Sequence, residues 1–194
     1  MRTRLLPALL LVLGLAAAPA LAADPGQTIT DLGAKTLDAL NQRSMSMAER
    51  EKRFRSLWEE GFDVPYIARS VAGPYWRGAN DQQRQNFVKA LDDYIVRIYS
   101  QRFSDYHGEN FKVTKSRSEG DDAYVNSQII RPNGAPPVKV DWRLRKTGDG
   151  YKIIDVIVEG ISMVTTQRDE FGAVIQRNGG QLDALTNILR EKAG

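Results

Sequence analysis

Cysteine is absent from the 194 residues, and histidine occurs once, at His107. The first absence excludes disulfides and thiolate metal sites. The second leaves no set of ligands at readable spacing for zinc, so no metal site and no cofactor are expected. There is no Gly-x-Ser-x-Gly elbow, P-loop or dinucleotide fingerprint, so nucleophilic hydrolysis and nucleotide handling have no signature here. No Lys/Arg run of the kind that tracks a phosphate backbone appears, which argues against a nucleic acid partner. Internal repeats and low-complexity stretches are likewise missing beyond the N-terminal segment.

That N-terminal segment has a clear plan. Arg2 and Arg4 precede an apolar run from Leu5 to Ala18, and Ala20 and Ala22 supply small residues where a signal peptidase reads them. Residues 1–22 therefore read as a secretory signal, with the mature chain starting near Ala23. The run is too short for a membrane span, and no cysteine follows it to carry a lipid anchor. Residues 23–194 are read as a single domain with a sizeable core. Without Arg2 and Arg4, the 27 basic and 24 acidic residues become 25 against 24, a net charge of +1. The basic isoelectric point of the whole chain thus overstates any attraction to polyanions.

Helices are expected first. Ile29, Leu32, Leu37 and Leu40 recur near helical spacing, although Gly33 interrupts them. Ser46-Met-Ala-Glu49 reads as a capping box for a helix carrying Phe54, Leu57 and Trp58, with Gly61 as its C′ stop. Asp63 caps a short helix through Pro65, Ile67, Ala68 and Val71, ending at Gly73-Pro74. Asn80-Asp-Gln-Gln83 opens the longest helix, with Phe87, Leu91, Tyr94, Ile95, Ile98 and Phe103 along one face. The period then changes to two. Val138, Val140, Trp142 and Leu144 alternate with Lys139, Asp141, Arg143 and Arg145, between turn signals at Asn133-Gly134 and Thr147-Gly-Asp-Gly150. Four strands are expected near 111–118, 122–131, 137–146 and 151–159, antiparallel because their connections are short. The last is apolar on both faces, so both must be covered. Placing Asp155 opposite Arg143 puts Ile154, Val156 and Val158 opposite Leu144, Trp142 and Val140. A helix over Ile161–Asn178 and a final amphipathic one through Leu182, Leu185, Ile188 and Leu189 close the chain. The class is α+β, a four-stranded antiparallel sheet wrapped by N- and C-terminal helices.

Few residues suggest chemistry. His107 lies in a polar turn and reads as a surface residue. Asp155 and Glu159 share a strand face about 13 Å apart, beyond the reach of a glycosidase carboxylate pair. Asp155 reads instead as an ion-pair partner of Arg143. Ser162 opens a helix after Gly160, as an N-cap or beside free amides that suit a phosphate. Tyr75 and Trp76 at a helix break either anchor the core or line a ligand mouth. An enzyme built on Asp155 with Tyr151 or His107, and an adaptor with a filled core, are the rival classes. The inventory as a whole suits holding an apolar ligand better than catalysis.

Four blocks carry a family resemblance: Ile67-Ala-Arg-Ser-Val-Ala-Gly-Pro-Tyr-Trp-Arg77, Gln83-Arg84 with Phe87, Asp155-Val-Ile-Val-Glu-Gly-Ile-Ser-Met-Val164, and Gln167-Arg168 with Phe171. Together they resemble the MlaC/toluene-tolerance auxiliary family over nearly all of the mature chain. Asp169-Glu-Phe and Gln176-Arg-Asn-Gly-Gly180 are similar to its hopanoid-biosynthesis-associated branch. Ala72-Gly73-Pro74 departs from the family pattern, which has a larger residue before the glycine and no proline. The resemblance implies a periplasmic, non-enzymatic phospholipid carrier. Its partners would be an inner-membrane ABC-transporter complex and an outer-membrane lipoprotein complex; the ligand would be a phospholipid or, in that branch, a hopanoid-like lipid. It also implies a mixed sheet wrapped by helices, with acyl chains between sheet and helices. The lining carried over by matching motifs is Tyr75, Trp76, Val156, Val158, Ile161, Met163 and Val164. Periodicity adds Tyr94, Ile98, Val140, Trp142 and Leu144.

Overall fold

The computed structural model describes residues 24–42, 44–101, 106–148 and 150–194. The signal-like segment, Phe103 and Asp149 of the Thr147–Gly150 turn lie outside them. Helices α1 (Pro25–Asn41), α2 (Met47–Gly61), α3 (Val64–Ala72), α4 (Tyr75–Gly78) and α5 (Asp81–Gln101) come first. Strands β1 (Asn110–Glu119), β2 (Asp122–Ile130), β3 (Val138–Thr147), β4 (Gly150–Val158) and β5 (Ile161–Ser162) follow, then α6 (Met163–Arg177) and α7 (Leu182–Ala193). The class is α+β, and the sheet is antiparallel in the order β1-β2-β3-β4-β5. Two elements exceed the sequence reading, the two-residue β5 and the one-turn α4, both too short to show a period. The mixed sheet implied by resemblance reduces to one parallel bridge between Phe62 and Ile153, outside the named strands.

The caps read from sequence fix the helix starts. Ser46 Oγ accepts from Glu49 N while Ser46 N donates to the Glu49 carboxylate, a complete capping box. Asn80 and Gln83 exchange the same pair of bonds at α5. Asp63 accepts from Tyr66 N at α3. Gly61 is a correction. It is the last residue of α2 rather than a left-handed stop, and a Cβ there would lie 2.7 Å from Leu32 Cδ2. It is small so that α1 and α2 can approach. Gly33 serves the same end, since a Cβ at Gly33 would lie 2.5 Å from Phe111 Cδ1. The residue that weakens α1 as a helix lets it lie on the sheet.

Register is read correctly in part. Arg143 pairs with Asp155, Trp142 with Val156 and Val140 with Val158. Leu144, however, pairs with Ile153 rather than Ile154, because the ladder slips between Arg143 and Leu144. This irregularity lets Ile153 and Ile154 both be buried. Both faces of β4 are covered as its composition demands, by α1, α2, α3 and α6.

Candidate functional site

The interior is built as two apolar clusters rather than one. The helical cluster contains Trp58, Ile67, Val71, Phe87, Leu91, Phe171, Ile175, Leu185 and Leu189 from α2, α3, α5, α6 and α7. The sheet cluster contains Ile29, Ala123, Val125, Leu144 and Ile153. Phe62 packs against both. The long helix α5 packs chiefly on α2, α3 and α7, whereas α1, α2, α3 and α6 make the main contacts with the sheet.

Half-buried apolar side chains fringe each cluster. On the sheet, Val140, Trp142, Leu144, Val156 and Val158 share one face, as the pairings require. Leu144 is fully buried within the cluster and Val140 is nearly so, while Trp142, Val156 and Val158 are half-buried. The Trp142 indole N–H donates to Ser127 Oγ at 2.9 Å, and that hydroxyl donates to the Val140 carbonyl at 2.7 Å. Phe111 meets the Trp142 ring edge-on at 6.2 Å. The large side chain is therefore held in one orientation.

On the helical side, Tyr75, Trp76, Tyr94 and Val164 pack on the helical cluster, and Ile98 is half-buried one turn beyond Tyr94. Burial, and then the neighbouring Tyr99 and Glu170, push the Tyr94 phenol above its usual range. Trp76 also lines a groove of about 700 Å³ built from helical residues, with Val64, Pro65, Arg84 and Val88. The Arg84 guanidinium sits 5.7 Å from the Trp76 ring centre and donates to the Trp76 carbonyl at 3.1 Å. Trp76 is thus both a core anchor and a groove wall. Phe62, which joins the two clusters, and the stacked pair Phe54–Tyr99 at 6.2 Å were not legible as site residues. Phe62 follows the last residue of α2 and Tyr99 stands near the end of α5, where periodicity gives little signal, whereas Phe54 lies mid-helix on the apolar stripe of α2.

Ile161, Met163 and Val164 lie at the junction of β5 and α6. Ile161 is 59% exposed, the most exposed large apolar residue among those described. The turn that presents it is tight, with Glu159 at φ 49° and Gly160 at φ 83°. Glu159 spans the turn, its carboxylate accepting from Lys139 N at 2.6 Å.

Asp155 is a further correction. Its carboxylate does not pair with Arg143. One oxygen accepts from Ser162 Oγ at 2.6 Å and the other from Val164 N at 3.1 Å, while Ser162 Oγ accepts from Thr165 N at 3.0 Å. The first-turn amides of α6 thus already meet an anion of the protein's own, which answers the phosphate alternative. Arg143 reaches diagonally to Asp122 at 2.6 Å, and Arg145 reaches the same carboxylate at 2.9 Å. Arg145 foremost, with Arg143, holds the Asp122 carboxyl below the usual carboxylate range against the opposing effect of burial. His107 is exposed in its turn, where its backbone N–H donates to Glu109. Among the described residues no cluster of His, Asp and Glu could hold a metal ion, and no helix is long and apolar enough to cross a membrane.

The chain is similar to known proteins in sequence and in fold. The family model described as MlaC protein matches residues 30–191. The intermembrane phospholipid transport system binding protein MlaC of Haemophilus influenzae is 23% identical over 135 residues, covering 68% of this chain and 62% of that protein. Toluene tolerance protein ttg2D of Pseudomonas putida is 30% identical over 123 residues, covering 62% of this chain and 57% of that protein. The chain thus spans about three fifths of the length of these relatives. The phospholipid-binding protein from Ralstonia solanacearum, solved in complex with a phospholipid, superposes with a TM-score of 0.77 at 21% identity. That likeness of fold covers 88% of this chain and 97% of the other. The match over residues 30–191 takes in the Ile67–Arg77 block, the Asp155–Val164 block and both apolar clusters except Ile29, and this chain belongs to the MlaC family.

Proposed function

We propose that this chain is a periplasmic phospholipid-binding carrier, exported by the signal at residues 1–22, that shuttles lipid between an inner-membrane ABC-transporter complex and an outer-membrane lipoprotein complex. The observation that carries the reading is the divided interior. Two apolar clusters meet at Phe62, and half-buried Trp142 and Val156 fringe one while Tyr94 and Val164 fringe the other. Acyl chains would lie between them, against Trp142, Val156, Val158, Tyr94 and Ile98, with the head group toward Ile161 and Met163. The relatives' names and the phospholipid held by the Ralstonia protein support this chemistry.

The energetics suit a carrier. Each acyl methylene buried from water contributes about 0.8 kcal/mol. Two long chains thus forbid free passage through an aqueous compartment. Transfer from bilayer to apolar cleft exchanges one dry environment for another, so the net change is small and either direction is open. The barrier is transient exposure, which docking on a partner complex lowers. No covalent step is needed. Asp155, the carboxylate an enzyme reading would use, is committed to holding α6.

The test is mass spectrometry of the purified mature protein, native and then solvent-extracted, beside Val156→Trp. A stoichiometric phospholipid in the wild type, lost from a folded Val156→Trp, is the expected result; a triterpenoid would assign the ligand to the hopanoid-associated branch. A wild-type protein that stays lipid-free after incubation with vesicles refutes the carrier. Val156→Trp unfolding by about 1–3 kcal/mol would indicate a filled core.

A further inference from the structure

Among the helices only α1 makes substantial contacts with β1 and β2, and the apolar cluster it joins lies on one face of the sheet, opposite the outer face of β1, β2 and β3. The pairings place Lys112, Gln128 and Lys139 in one row across it, Lys115, Asn126 and Asp141 in the next, and Arg117, Tyr124 and Arg143 in the third. Glu119, Asp122 and Arg145 form the last row, which α3 reaches, Arg145 lying over the Tyr66 ring at 4.7 Å. That is six cationic and three anionic side chains, a net of +3, on a mature chain whose reading gives +1 overall. The fold therefore gathers positive charge onto one open surface.

The cations on this face differ by type. Each arginine is engaged: Arg117 with Glu119 and over the Tyr124 ring, and Arg143 and Arg145 with Asp122. Lys112, Lys115 and Lys139 are exposed and have no side-chain ion pair or hydrogen bond among the described residues. Ile130, on the same face one pleat beyond the Lys112–Gln128–Lys139 row, is 37% exposed.

We propose that the open face of β1–β3 is a docking surface for a lipid bilayer carrying anionic head groups. Protein interfaces favour arginine and aromatic anchors in pockets and are depleted in lysine. Here the arginines are already tied down, and the free charges are flexible, hydrated ammonium groups on a flat surface. Such groups suit a diffuse anionic plane, and an exposed isoleucine beside them adds shallow apolar contact. With only three free lysines the attachment is weak, salt-sensitive and readily reversed. It stands apart from lipid carriage, because vesicle binding and lipid content are read separately and either can fail alone.

The experiment is sedimentation of the mature protein with vesicles of phosphatidylethanolamine and phosphatidylglycerol, against vesicles of phosphatidylcholine alone, at low and high salt. Three variants are compared: wild type, Lys112→Gln/Lys115→Gln/Lys139→Gln, and a control of equal charge change, Lys52→Gln/Lys89→Gln/Lys192→Gln. The wild type is expected to prefer the anionic vesicles at low salt. Each face lysine removed lowers partitioning about fivefold, so the face variant loses about a hundredfold while the control stays within a few-fold of wild type. Equal loss in the control overturns the assignment to this face. Absence of binding to anionic vesicles, whatever acidic protein the face then captures, overturns the bilayer as its partner.

Discussion

Replacing Asp155 with alanine removes both acceptors that hold the start of α6 to β4. The carboxylate receives the Ser162 hydroxyl at 2.6 Å and the Val164 amide at 3.1 Å. A hydrogen bond to a charged group contributes about 1.5–3 kcal/mol when buried. Asp155 is half-buried, which places both bonds near the low end. Favourable interaction with the helix N-terminus adds a few tenths of a kcal/mol. Together the loss is about 3–3.5 kcal/mol. With a urea dependence of about 2 kcal/mol per molar, the unfolding midpoint falls by about 1.5–1.8 M. Asp155→Asn keeps one acceptor and should lose about half as much. Ser162→Ala removes the N-cap and costs about 1 kcal/mol alone. Because the two side chains share a bond, the double variant should lose less than the sum, by about 0.5–1 kcal/mol. Urea melts of the four proteins measure all of this. A midpoint shift below about 0.3 M for Asp155→Ala, or strict additivity with Ser162→Ala, refutes the shared cap.

Two glycines in helices should respond with opposite sign: Gly33→Ala destabilises by about 1–3 kcal/mol because its Cβ meets the Phe111 ring, whereas Gly172→Ala in α6 meets open space and stabilises by about 0.5–1 kcal/mol. Thermal melts compare them directly. For Asp122, whose folded carboxyl lies below its unfolded value, the stabilisation is present above the unfolded pKa and is lost as pH falls through the folded one. Urea melts from neutral pH down to about pH 2 should therefore show wild type above Asp122→Asn at neutral pH and the two converging in acid.

Much of this fold is legible because each element states its own period. The alternation from Val138 to Arg145 marks β3 and its two faces, and the four strand ranges differ from the structure by a residue at most ends. The capping boxes at Ser46 and Asn80 are local, three residues wide, and hold. Side-chain partners of Arg143 and Asp155 are less legible, although the two residues do lie opposite. Each has a second suitor that sequence distance hides: Asp122 lies diagonally across β2, and the α6 amides curl back over the end of β4. Competition among neighbours, rather than register, decides the pairing. The slip between Arg143 and Leu144 is invisible for a related reason, since Ile153 and Ile154 are equally apolar and either could face the sheet core. For the candidate site, the residues on β4 and at the start of α6 come from continuous motifs. Phe62 is different, because its place between two clusters depends on contacts remote in sequence.

The two edges of the sheet bear on how readily copies of this chain could pair strand to strand. β1 is ten residues long and pairs on one side only, so its outer edge offers free amides and carbonyls to any extended chain. The register slip between Val113 and Lys115 breaks that row, and Lys112, Lys115 and Arg117 line it with charge of one sign. A second copy approaching edge to edge would bring like charges together across an irregular ladder. At the other side, β4 is closed by β5 at one end and by the Phe62 bridge at the other. The strand richest in branched apolar residues is thus denied a long free edge, and the strand left open is the one least able to template an aggregate.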